Sequence, residues 1–491
     1  VKEGGTFRIA SVTGRFTAID PALSNPATGD RLLAPACGTL VAYPDMPPPA
    51  GSRITPSLAE AEPRVSKDGR TYTFTIRRDA RFSDGARVTV RAFVHALERI
   101  LTPAMESDFA GDFEDILGAR KMLARKTTTL DGAIAKGRTL TLRLNKPVPL
   151  LLHSLTRLCA VPPNLLADPE GARAPLPSAA PYYVAEYVPG ERLVLERNRF
   201  YQGSRPHHVA RFVADLASDF GPGIDQVANG TVDVLWPGPM PEQWAKLAQR
   251  YGVNKSRFFI APGAALRVFV LNTSRPLLRN NVKLRQALNF AVDRRALVRE
   301  SGPRGETPTD QYLLPTTAGY RNEDVYPLKG PDLRTARALA EGNLRGGKAV
   351  LYTLDQPAEV ARAEILKRNL KAIGLDLDVK AFPLNLLIEK ILTPGEPFDL
   401  ARVLSGTIPD PVYLNAMLSG YTRQYDRLLD RAARLGGEER YRAYGALDVE
   451  ISRDFAPMIP VSVVNWPTFV SARVGCVVLT PVLNLTAVCL K

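Results

Sequence analysis

The feature that most constrains the fold is a helix, a glycine and a strand that follow one another in the second half of the chain. Leu366, Leu370 and Ile373 recur at helical spacing, and Gly374 follows them directly, as glycine often does where a helix ends. The segment "LDLDVKAF" (375–382) then alternates apolar and polar residues with the period of a half-buried strand. Such a succession is typical of α/β folds, so we predict an α/β lobe with its own sheet here.

A second strand and helix are predicted near the front of the chain. Residues 71–76 alternate threonine with apolar side chains, and "SDG" (83–85) marks a turn. Thr89 is placed to begin a helix, and apolar residues recur at helical spacing until Pro103 stops it. Together with the first pattern, this predicts an α/β protein with at least two sheets.

Further patterns mark additional elements and one boundary. A proline-rich passage that ends near residue 181 predicts a boundary between lobes. The remaining predictions are a strand at 140–147, a hairpin at 182–198 turning at Pro189-Gly190, a short helix closed by Gly230 with a strand ending at Trp236, a strand at 266–274, and one helix over 280–301 ended by Gly302-Pro303.

The length of 491 residues exceeds what one hydrophobic core usually supports, so more than one lobe is expected. The hydrophobic and charged contents, 45% and 23%, are ordinary for a soluble globular protein. No apolar run approaches the roughly 20 residues that span a bilayer. The chain begins "VKEGG", without Met or an apolar leader, and we expect a mature or trimmed chain from which any export signal or lipid anchor that existed has been removed.

The charge is basic, with 64 Lys and Arg against 50 Asp and Glu, a formal net charge of +14. The basic residues are scattered and do not interleave with stacking aromatics, so nucleic-acid binding is not predicted. Two explanations stay open: a cationic surface that faces anionic lipid or wall polymer, and a genome rich in arginine codons.

The four cysteines are Cys37, Cys159, Cys476 and Cys489. None forms a CxxC pair, and the four histidines complete no set with metal-ligand spacing, so neither a metal nor a cofactor is predicted. An even number of cysteines in an apparently exported chain indicates two disulfides, and we favour Cys476–Cys489 and Cys37–Cys159 among the three possible pairings. The alternative is four buried free thiols.

Catalysis is not indicated. The chain has no GxSxG, HExxH, P-loop or dinucleotide-binding motif. "GPGID" (221–225) could bind an anion at a helix N-terminus but is more simply a turn, and His207 and His208 point to opposite faces of any strand. Asp376 and Asp378 are predicted to lie on the solvated face of their strand. The protein is therefore not expected to be an enzyme.

Read in order, six segments together resemble one family. They are "PSLAEAEPRVSKDGRTYTFTIRRDARFSDGARVTVRAFVHALERILTP" (56–103), "PYYVAEYVPGERLVLERNRFY" (181–201), "QVANGTVDV" (226–234), "VLNTSRPLLRNNVKLRQALNFAVDRRALV" (270–298), "LKAIGLDLDV" (370–379) and "FDLARVLSGTIPDPVYL" (398–414). The family is that of the extracytoplasmic solute-binding proteins of family 5, the peptide- and nickel-binding receptors of ABC importers.

The resemblance implies a fold of the periplasmic-binding-protein-like type II, a two-lobed clamp with an additional inserted domain (cluster C). Lobe I would comprise 1–40, 178–264 and 462–491, the inserted domain 41–177, and lobe II 265–461. Ligand would shift an equilibrium between open and closed forms, and a membrane permease with ATPase subunits would read the closed form.

The resemblance also implies where a peptide would bind. In the peptide-binding branch, an Asp in the segment that corresponds to "LSGTIPDP" (404–411) holds the ligand's α-ammonium group. Alignment on Asp410-Pro411 puts Thr407 at that position, and a Thr hydroxyl cannot supply a charge-assisted hydrogen bond. Either the ligand lacks a free amino terminus or another acid reaches it, with Asp410 the nearest. The alternative for Asp410 is a turn residue.

The other candidates for ligand contact offer either backbone groups or side chains. Residues 405–407 offer backbone to an extended ligand, and Trp236 is expected either to pack on ligand or to lie in a core or interface. The complete set is Trp236, Arg402, Leu404, Ser405, Gly406, Thr407, Asp410, Tyr413 and Asn415.

The predicted function is an exported, monomeric receptor without chemistry of its own, in the periplasm or at the outer face of the cytoplasmic membrane. It would capture a short peptide or peptide-like solute for an ABC importer, and any membrane association would depend on a removed lipid anchor. The alternatives are a receptor for a glycan, an opine-like solute or a metal chelate, a sensor that feeds a signalling partner, and a hydrolase.

Overall fold

The computed structural model describes residues 3–11, 16, 18–24 and 29–491. Its backbone mixes helices and strands throughout. The strands are β1 (Thr6–Ser11), β2 (Val41–Ala42), β3 (Thr55–Pro56), β4 (Arg64–Val65), β5 (Thr71–Thr75), β6 (Ala133–Lys136), β7 (Thr139–Arg143), β8 (Tyr182–Val188), β9 (Arg192–Arg197), β10 (Arg211–Asp215), β11 (Val234–Trp236), β12 (Phe258–Leu271), β13 (Glu306–Pro308), β14 (Lys348–Leu354), β15 (Asp376–Phe382), β16 (Leu400–Gly406), β17 (Met458–Phe469), β18 (Val474–Cys476) and β19 (Cys489–Leu490).

The helices alternate with these strands along the chain. They are α1 (Gly29–Leu33), α2 (Val90–Ile100), α3 (Ala110–Phe113), α4 (Ala119–Leu123), α5 (Leu151–Leu155), α6 (Phe220–Asn229), α7 (Pro241–Tyr251), α8 (Val282–Ala291), α9 (Arg294–Arg299), α10 (Leu333–Ala340), α11 (Pro357–Lys371), α12 (Leu384–Leu392), α13 (Tyr413–Leu418), α14 (Arg423–Ala433) and α15 (Gly437–Glu450).

The chain divides into two compact units. Unit 1 comprises residues 1–259 and 467–491, and unit 2 comprises residues 260–466. The chain therefore leaves unit 1 within β12 and returns to it within β17. The finer division into lobe I, an inserted domain and lobe II stays a prediction.

The first sheet of unit 1 has the strand order β11-β1-β10-β9-β8. β1 runs parallel to both β10 and β11, whereas β8, β9 and β10 form antiparallel pairs. The predicted hairpin is β8–β9, and Gly190 in its turn adopts a positive φ of 73°. Gly230 closes α6 with a φ of 83°, as expected for a helix C-cap.

A second sheet of unit 1 has the order β4-β5-β7-β6 and packs with α2. Tyr72 and Phe74 point from β5 into a core drawn from residues between 22 and 179, in agreement with the alternation of this strand. α2 begins directly after Thr89, which is extended, and ends before Pro103, as predicted. Its buried residues include Phe93 and Leu97, which belong to the same core.

The sheet of unit 2 has the order β13-β17-β12-β16-β14-β15. β14 runs parallel to β15 and β16, and β12 pairs antiparallel with β16. α11 connects β14 to β15, and its residues Leu366 and Leu370 are buried beside Leu377 of β15. Gly374 ends this connection with a φ of 89°. The helix, glycine and strand predicted from the sequence therefore form one parallel crossover.

One predicted helix is wrong. The segment 280–301 forms two helices, because α8 ends at Ala291 and α9 begins at Arg294. Val292 is extended, and the Asp293 carboxylate accepts a hydrogen bond from the Ala296 backbone nitrogen at 2.9 Å. Asp293 is thus an N-cap that starts a new helix, a local signal that the apolar spacing across it concealed.

Both disulfides of the favoured pairing are present. Cys37 bonds to Cys159 across 122 residues, and Cys476 bonds to Cys489 across 13, each with a Cα–Cα distance of 5.0 Å. The first links segments that precede and follow the core of β5 and α2, and the second closes the β18–β19 ribbon.

The described residues contain neither a membrane-spanning helix nor a metal-binding cluster. No helix there has the length and apolarity needed to cross a bilayer. Nor do histidine, cysteine, aspartate and glutamate side chains gather in groups of three or more that could hold a metal ion.

Candidate functional site

The predicted ligand-binding segment begins in β16 and continues into α13. On one side, β12 pairs with β16 along the whole strand, from Leu400 opposite Leu271 to Gly406 opposite Ala265. On the other side, β14 pairs only with Leu400 and Ala401. Within the described part of the chain, no strand pairs with this edge of β16 beyond Ala401. The last residues of β16 therefore present backbone groups along a free edge.

The side chains at the end of β16 leave room beside that edge. Leu404 is 42% exposed, and Ser405 is partly buried, with its hydroxyl directed to the carbonyl of Gly406 at 3.3 Å. A Cβ built on Gly406 would meet no atom within 4 Å. A strand with one free edge and a glycine in open space permits close approach of another backbone.

Thr407 follows the free edge directly, and the environment of its hydroxyl group is unusual. Its backbone nitrogen donates to the Ala264 carbonyl at 2.8 Å, which fixes the residue against β12. Its Oγ1 is buried, yet it has no hydrogen-bond partner among the described residues. A buried polar group without a hydrogen-bond partner lowers the folding stability by about 1–3 kcal/mol. A group that hydrogen-bonds to this atom would therefore be stabilising.

The carboxylate of Asp410 is engaged within the protein, which favours a structural role over replacement of the missing acid. Arg440 of α15 holds both carboxylate oxygens at 2.7 Å, and the Val412 backbone nitrogen donates to Oδ1 at 2.9 Å. Asp410 is 0% exposed. Burial tends to lower the pKa of Arg440, but the charge and hydrogen bonds of Asp410 outweigh burial and raise it. Asp410 therefore anchors the turn before α13.

Replacing Asp410 by asparagine is expected to lower the free energy of unfolding by about 3 kcal/mol, because it leaves the buried Arg440 charge uncompensated. The measurement is urea-induced unfolding at neutral pH. Asp430→Asn is the control, because Asp430 is exposed and its loss should cost less than about 1 kcal/mol. Equal stability of the two variants would contradict a structural role for Asp410.

Arg402 is also engaged within the protein, so its predicted contact with ligand is not supported. Its Nε donates to Oε2 of Glu359 at 3.1 Å, and its terminal nitrogen donates to Oε1 at 3.0 Å. Only 9% of the residue is exposed. Arg402 belongs to a buried set of ionic side chains, the arginine–glutamate cluster, which consists of Arg267, Glu306, Glu359, Arg362 and Arg402.

The arginine–glutamate cluster joins β12, β13, α11 and β16. Arg267 reaches both acids, with distances of 2.7 Å to Glu306 and 2.7 Å to Glu359. Burial tends to raise the pKa of Glu359, but the hydrogen bonds and charges of Arg402 and Arg267 outweigh it, so the pKa lies below its usual value. Since Arg402 is in β16 and Glu359 is in α11, the cluster holds the strand that carries the free edge.

Two more predicted contacts are used internally. The Tyr413 hydroxyl donates to the Tyr312 carbonyl at 2.8 Å and accepts from the Leu314 nitrogen at 3.2 Å. The Asn415 amide is occupied at both ends, because its Oδ1 accepts from the Tyr444 hydroxyl at 2.6 Å and its Nδ2 donates to Asp430 at 3.3 Å. These hydrogen bonds position α13, and contact of the two side chains with ligand stays a prediction.

Trp236 is the last residue of β11, as predicted, and it is 2% exposed. Burial of the whole residue favours the packing alternative over contact with ligand.

The structure also identifies buried charged residues that sequence reasoning missed. Asp448 of α15 is fully buried, and its Oδ1 accepts from the Tyr312 and Leu313 nitrogens at 2.9 and 3.2 Å, while Oδ2 has no partner among the described residues. Burial raises the pKa of Asp448 to about 7. No sequence signal distinguished Asp448, Arg440 or Glu359 from solvated helix residues, because their partners are distant in the chain.

Comparison with protein families and curated proteins identifies relatives. Residues 53–425 match the family described as "Bacterial extracellular solute-binding proteins, family 5 Middle". The chain is 25% identical over 375 residues to the oligopeptide-binding protein OppA of Bacillus subtilis, covering 71% of this chain and 66% of that relative. It is 24% identical over 455 residues to the dipeptide-binding protein DppE of Bacillus subtilis, covering 87% of this chain and 82% of the relative.

Solved structures share the fold. The unliganded open form of MppA, a periplasmic murein tripeptide binding protein, matches with a TM-score of 0.85 and 19% identity, over 100% of this chain and 98% of that one. The clavulanic acid biosynthesis oligopeptide binding protein 2 matches with a TM-score of 0.83 and 21% identity, over 100% and 96% of the two chains. These likenesses agree with the predicted type II binding-protein fold. The chain belongs to the bacterial extracellular solute-binding proteins of family 5.

Proposed function

We propose that this protein is a receptor that captures a short peptide or peptide-like solute outside the cytoplasm and delivers it to an ABC importer. Membership of a family of solute-binding proteins supports capture of a solute without its chemical conversion. The names of relatives that bind oligopeptides, dipeptides and a murein tripeptide support a peptide-like ligand. Permease and ATPase subunits, the monomeric state and export belong to the same proposal.

The observation that carries the proposal is the free edge of β16. From Val403 to Gly406 the strand pairs with described residues on one side only, in the segment that the resemblance assigns to peptide binding. An extended peptide adds to such an edge through main-chain hydrogen bonds, which are independent of the peptide's side chains. Backbone pairing therefore accounts for capture of solutes that share a peptide backbone and differ in sequence.

We propose further that Thr407 contacts the solute through its hydroxyl and that the solute needs no free amino terminus. Thr407 Oγ1 is buried and has no partner in the described part of the chain, so a ligand group that hydrogen-bonds to it removes an existing cost. Asp410, the nearest acid in the segment, is held by Arg440 and offers no free carboxylate oxygen to an ammonium group. The Thr407 hydroxyl is thus suited to a neutral group, such as a blocked amino end.

The first test identifies the natural solute. Freshly purified protein is measured by native mass spectrometry and then denatured, and the released molecules are identified. Short peptides or peptide-like molecules would support the proposal. A glycan, an opine-like solute or a metal chelate would replace it with another receptor of the same family, and a chemically altered product would indicate a hydrolase.

The second test measures the role of Thr407 by binding of a matched pair of peptides, one free and one acetylated at its amino end. The affinities of the wild-type protein for the two peptides are expected to agree within about threefold, because no carboxylate is available to bind the free ammonium group. Thr407→Val should weaken both by about tenfold through loss of one hydrogen bond. Thr407→Asp should favour the free peptide by about tenfold.

Leu392→Ala serves as a control for that test, since Leu392 is exposed, carries no polar group and lies outside the segment 398–414. A wild-type protein that binds only the free peptide would contradict the proposal for Thr407 while leaving peptide capture intact. Equal binding by the wild type and Thr407→Val would also contradict it.

A further inference from the structure

A concave basic pocket lies in unit 1, between the end of β5, the segment before α2 and the turn before β7. Its volume is about 400 Å³. The lining includes four arginines, Arg77, Arg78, Arg87 and Arg138, and no acidic residue. We call this the arginine pocket. Its residues lie outside the segment 398–414 that is proposed to pair with the solute.

The backbone around the arginine pocket is fixed by hydrogen bonds. The Ile76 nitrogen donates to the Arg138 carbonyl at 2.8 Å, and the Val88 nitrogen donates to the Ala80 carbonyl at 3.0 Å. The Arg138 guanidinium also donates to the Ile76 carbonyl at 2.7 Å. The three segments that carry the arginines are therefore tied together before any ligand arrives.

Two of the four arginines have acidic partners. Arg77 pairs with Asp79 at 2.7 Å, and Arg138 pairs with Glu60. Both acids lie outside the lining of the pocket. These pairs balance two of the four positive charges and orient the two guanidinium groups, but they leave two positive charges without compensation.

The uncompensated charges belong to Arg78 and Arg87. Both residues are exposed, and neither has an ion pair in the part of the chain that the structure describes. A guanidinium group presents its donors in a planar fork that matches the oxygens of phosphate and carboxylate groups. Since net positive charge in a concave surface concentrates anions, these two side chains are available to a negatively charged ligand.

The base of the pocket adds two features to the charge. α2 begins at Val90, so the positive end of an 11-residue helix faces the same space, and the Thr89 side chain makes no capping hydrogen bond. The side chains of Ile76, Val88 and Val90 form an apolar floor. A volume of about 400 Å³ with an apolar floor exceeds the needs of a single inorganic ion and suits an anion attached to a larger organic group.

We propose that the arginine pocket binds a phosphate group carried by an organic molecule, through Arg78 and Arg87. The same chemistry occurs in the headgroup of an anionic phospholipid and in a soluble phosphate ester. With a lipid headgroup in the pocket, unit 1 would be held at a membrane surface independently of the transported solute.

The test compares two double variants with the wild-type protein. Arg78→Ala with Arg87→Ala removes the two free guanidinium groups. Arg64→Ala with Arg143→Ala is the control, because both residues are exposed, lie on the same four-stranded sheet outside the pocket, and produce the same change in net charge. Thermal unfolding checks that both variants fold.

Two probes distinguish the sources of the phosphate group: glycerol 3-phosphate in calorimetry, and phosphatidylglycerol vesicles in sedimentation, at about 0.15 M salt. The control is expected to bind within about twofold of the wild type, and the pocket variant about tenfold more weakly. If the pocket variant, but not the control, loses binding to the vesicles, the ligand is a lipid headgroup. If the pocket variant, but not the control, loses binding only to glycerol 3-phosphate, the ligand is a soluble ester. Equal losses in both variants, or no binding of either probe by the wild type, would overturn the proposal.

Discussion

Replacement of Glu359 by glutamine is expected to lower the free energy of unfolding by about 3–5 kcal/mol. Glu359 is the acid shared by Arg267, Arg362 and Arg402, at distances of 2.7, 2.9 and 3.0 Å. The three arginines and two glutamates of the arginine–glutamate cluster carry one net positive charge, and the variant raises this to two. Because the side chains are buried, water cannot replace the lost carboxylate.

Chemical denaturation at neutral pH measures this effect. Glu186→Gln is the control, because Glu186 pairs with Arg192 at the surface, where side-chain exposures of 43% and 54% let solvent screen the pair, and its loss should cost less than about 1 kcal/mol. A double variant, Glu359→Gln with Arg402→Met, should recover part of the loss, since it removes one stranded charge. Similar stabilities of Glu359→Gln and Glu186→Gln would show that the cluster does not hold unit 2 together.

The same cluster predicts sensitivity to acid. The pKa of Glu359 in the folded protein lies below its usual value of 4.5, so its contribution to stability is present above pH 4.5 and is lost as the pH falls through the lower folded-state pKa. The wild-type protein should therefore lose stability below about pH 4.5, and Glu359→Gln should lose less over the same range.

Removal of the Cys37–Cys159 disulfide is the second large effect that we expect. The bond closes a loop of 122 residues, and in the chain-entropy model its loss costs about 5 kcal/mol. The loop contains the core formed by β5, β7 and α2, so the reduced unfolded chain gains far more freedom than one in which the short loop is opened.

The measurement compares Cys37→Ser with Cys159→Ser against Cys476→Ser with Cys489→Ser in urea. The second pair spans only 13 residues, so its loss should cost about 3 kcal/mol. The order of the two losses is the informative result. A larger loss for the C-terminal pair would mean that local structure at β18–β19, and not the length of the closed loop, determines what the disulfides contribute.

Local sequence patterns predicted many elements correctly because side-chain burial within one helix or strand repeats with the geometry of that element. The alternation at 71–76 gave β5 with Tyr72 and Phe74 buried, and the helical spacing followed by Gly374 gave α11 and the start of β15. The error at 280–301 has the same origin. Apolar spacing continued across Asp293, and the capping hydrogen bond that divides the helices outweighed it.

Less of the candidate site than of the fold could be predicted from the sequence. Resemblance in order along the whole chain identified the family and the segment around Thr407, and these required no coordinates. It did not reveal that Asp410 meets Arg440, 30 residues away, or that Arg402 meets Glu359, 43 residues away. The free edge of β16 was likewise invisible, because strand order depends on which segments the fold brings together.

The sequence alone therefore determined the fold class and the family, whereas it left the cysteine pairing open until the structure showed the favoured pairs. Only the tertiary structure decided which polar groups of the segment 404–411 are occupied and which are free, and it left Thr407 Oγ1 as the buried one without a partner. The physical reason is the distance along the chain over which each kind of interaction acts. Periodicity records burial between residues a few positions apart, whereas the partner of a buried charge is set by packing between elements that are distant in the chain.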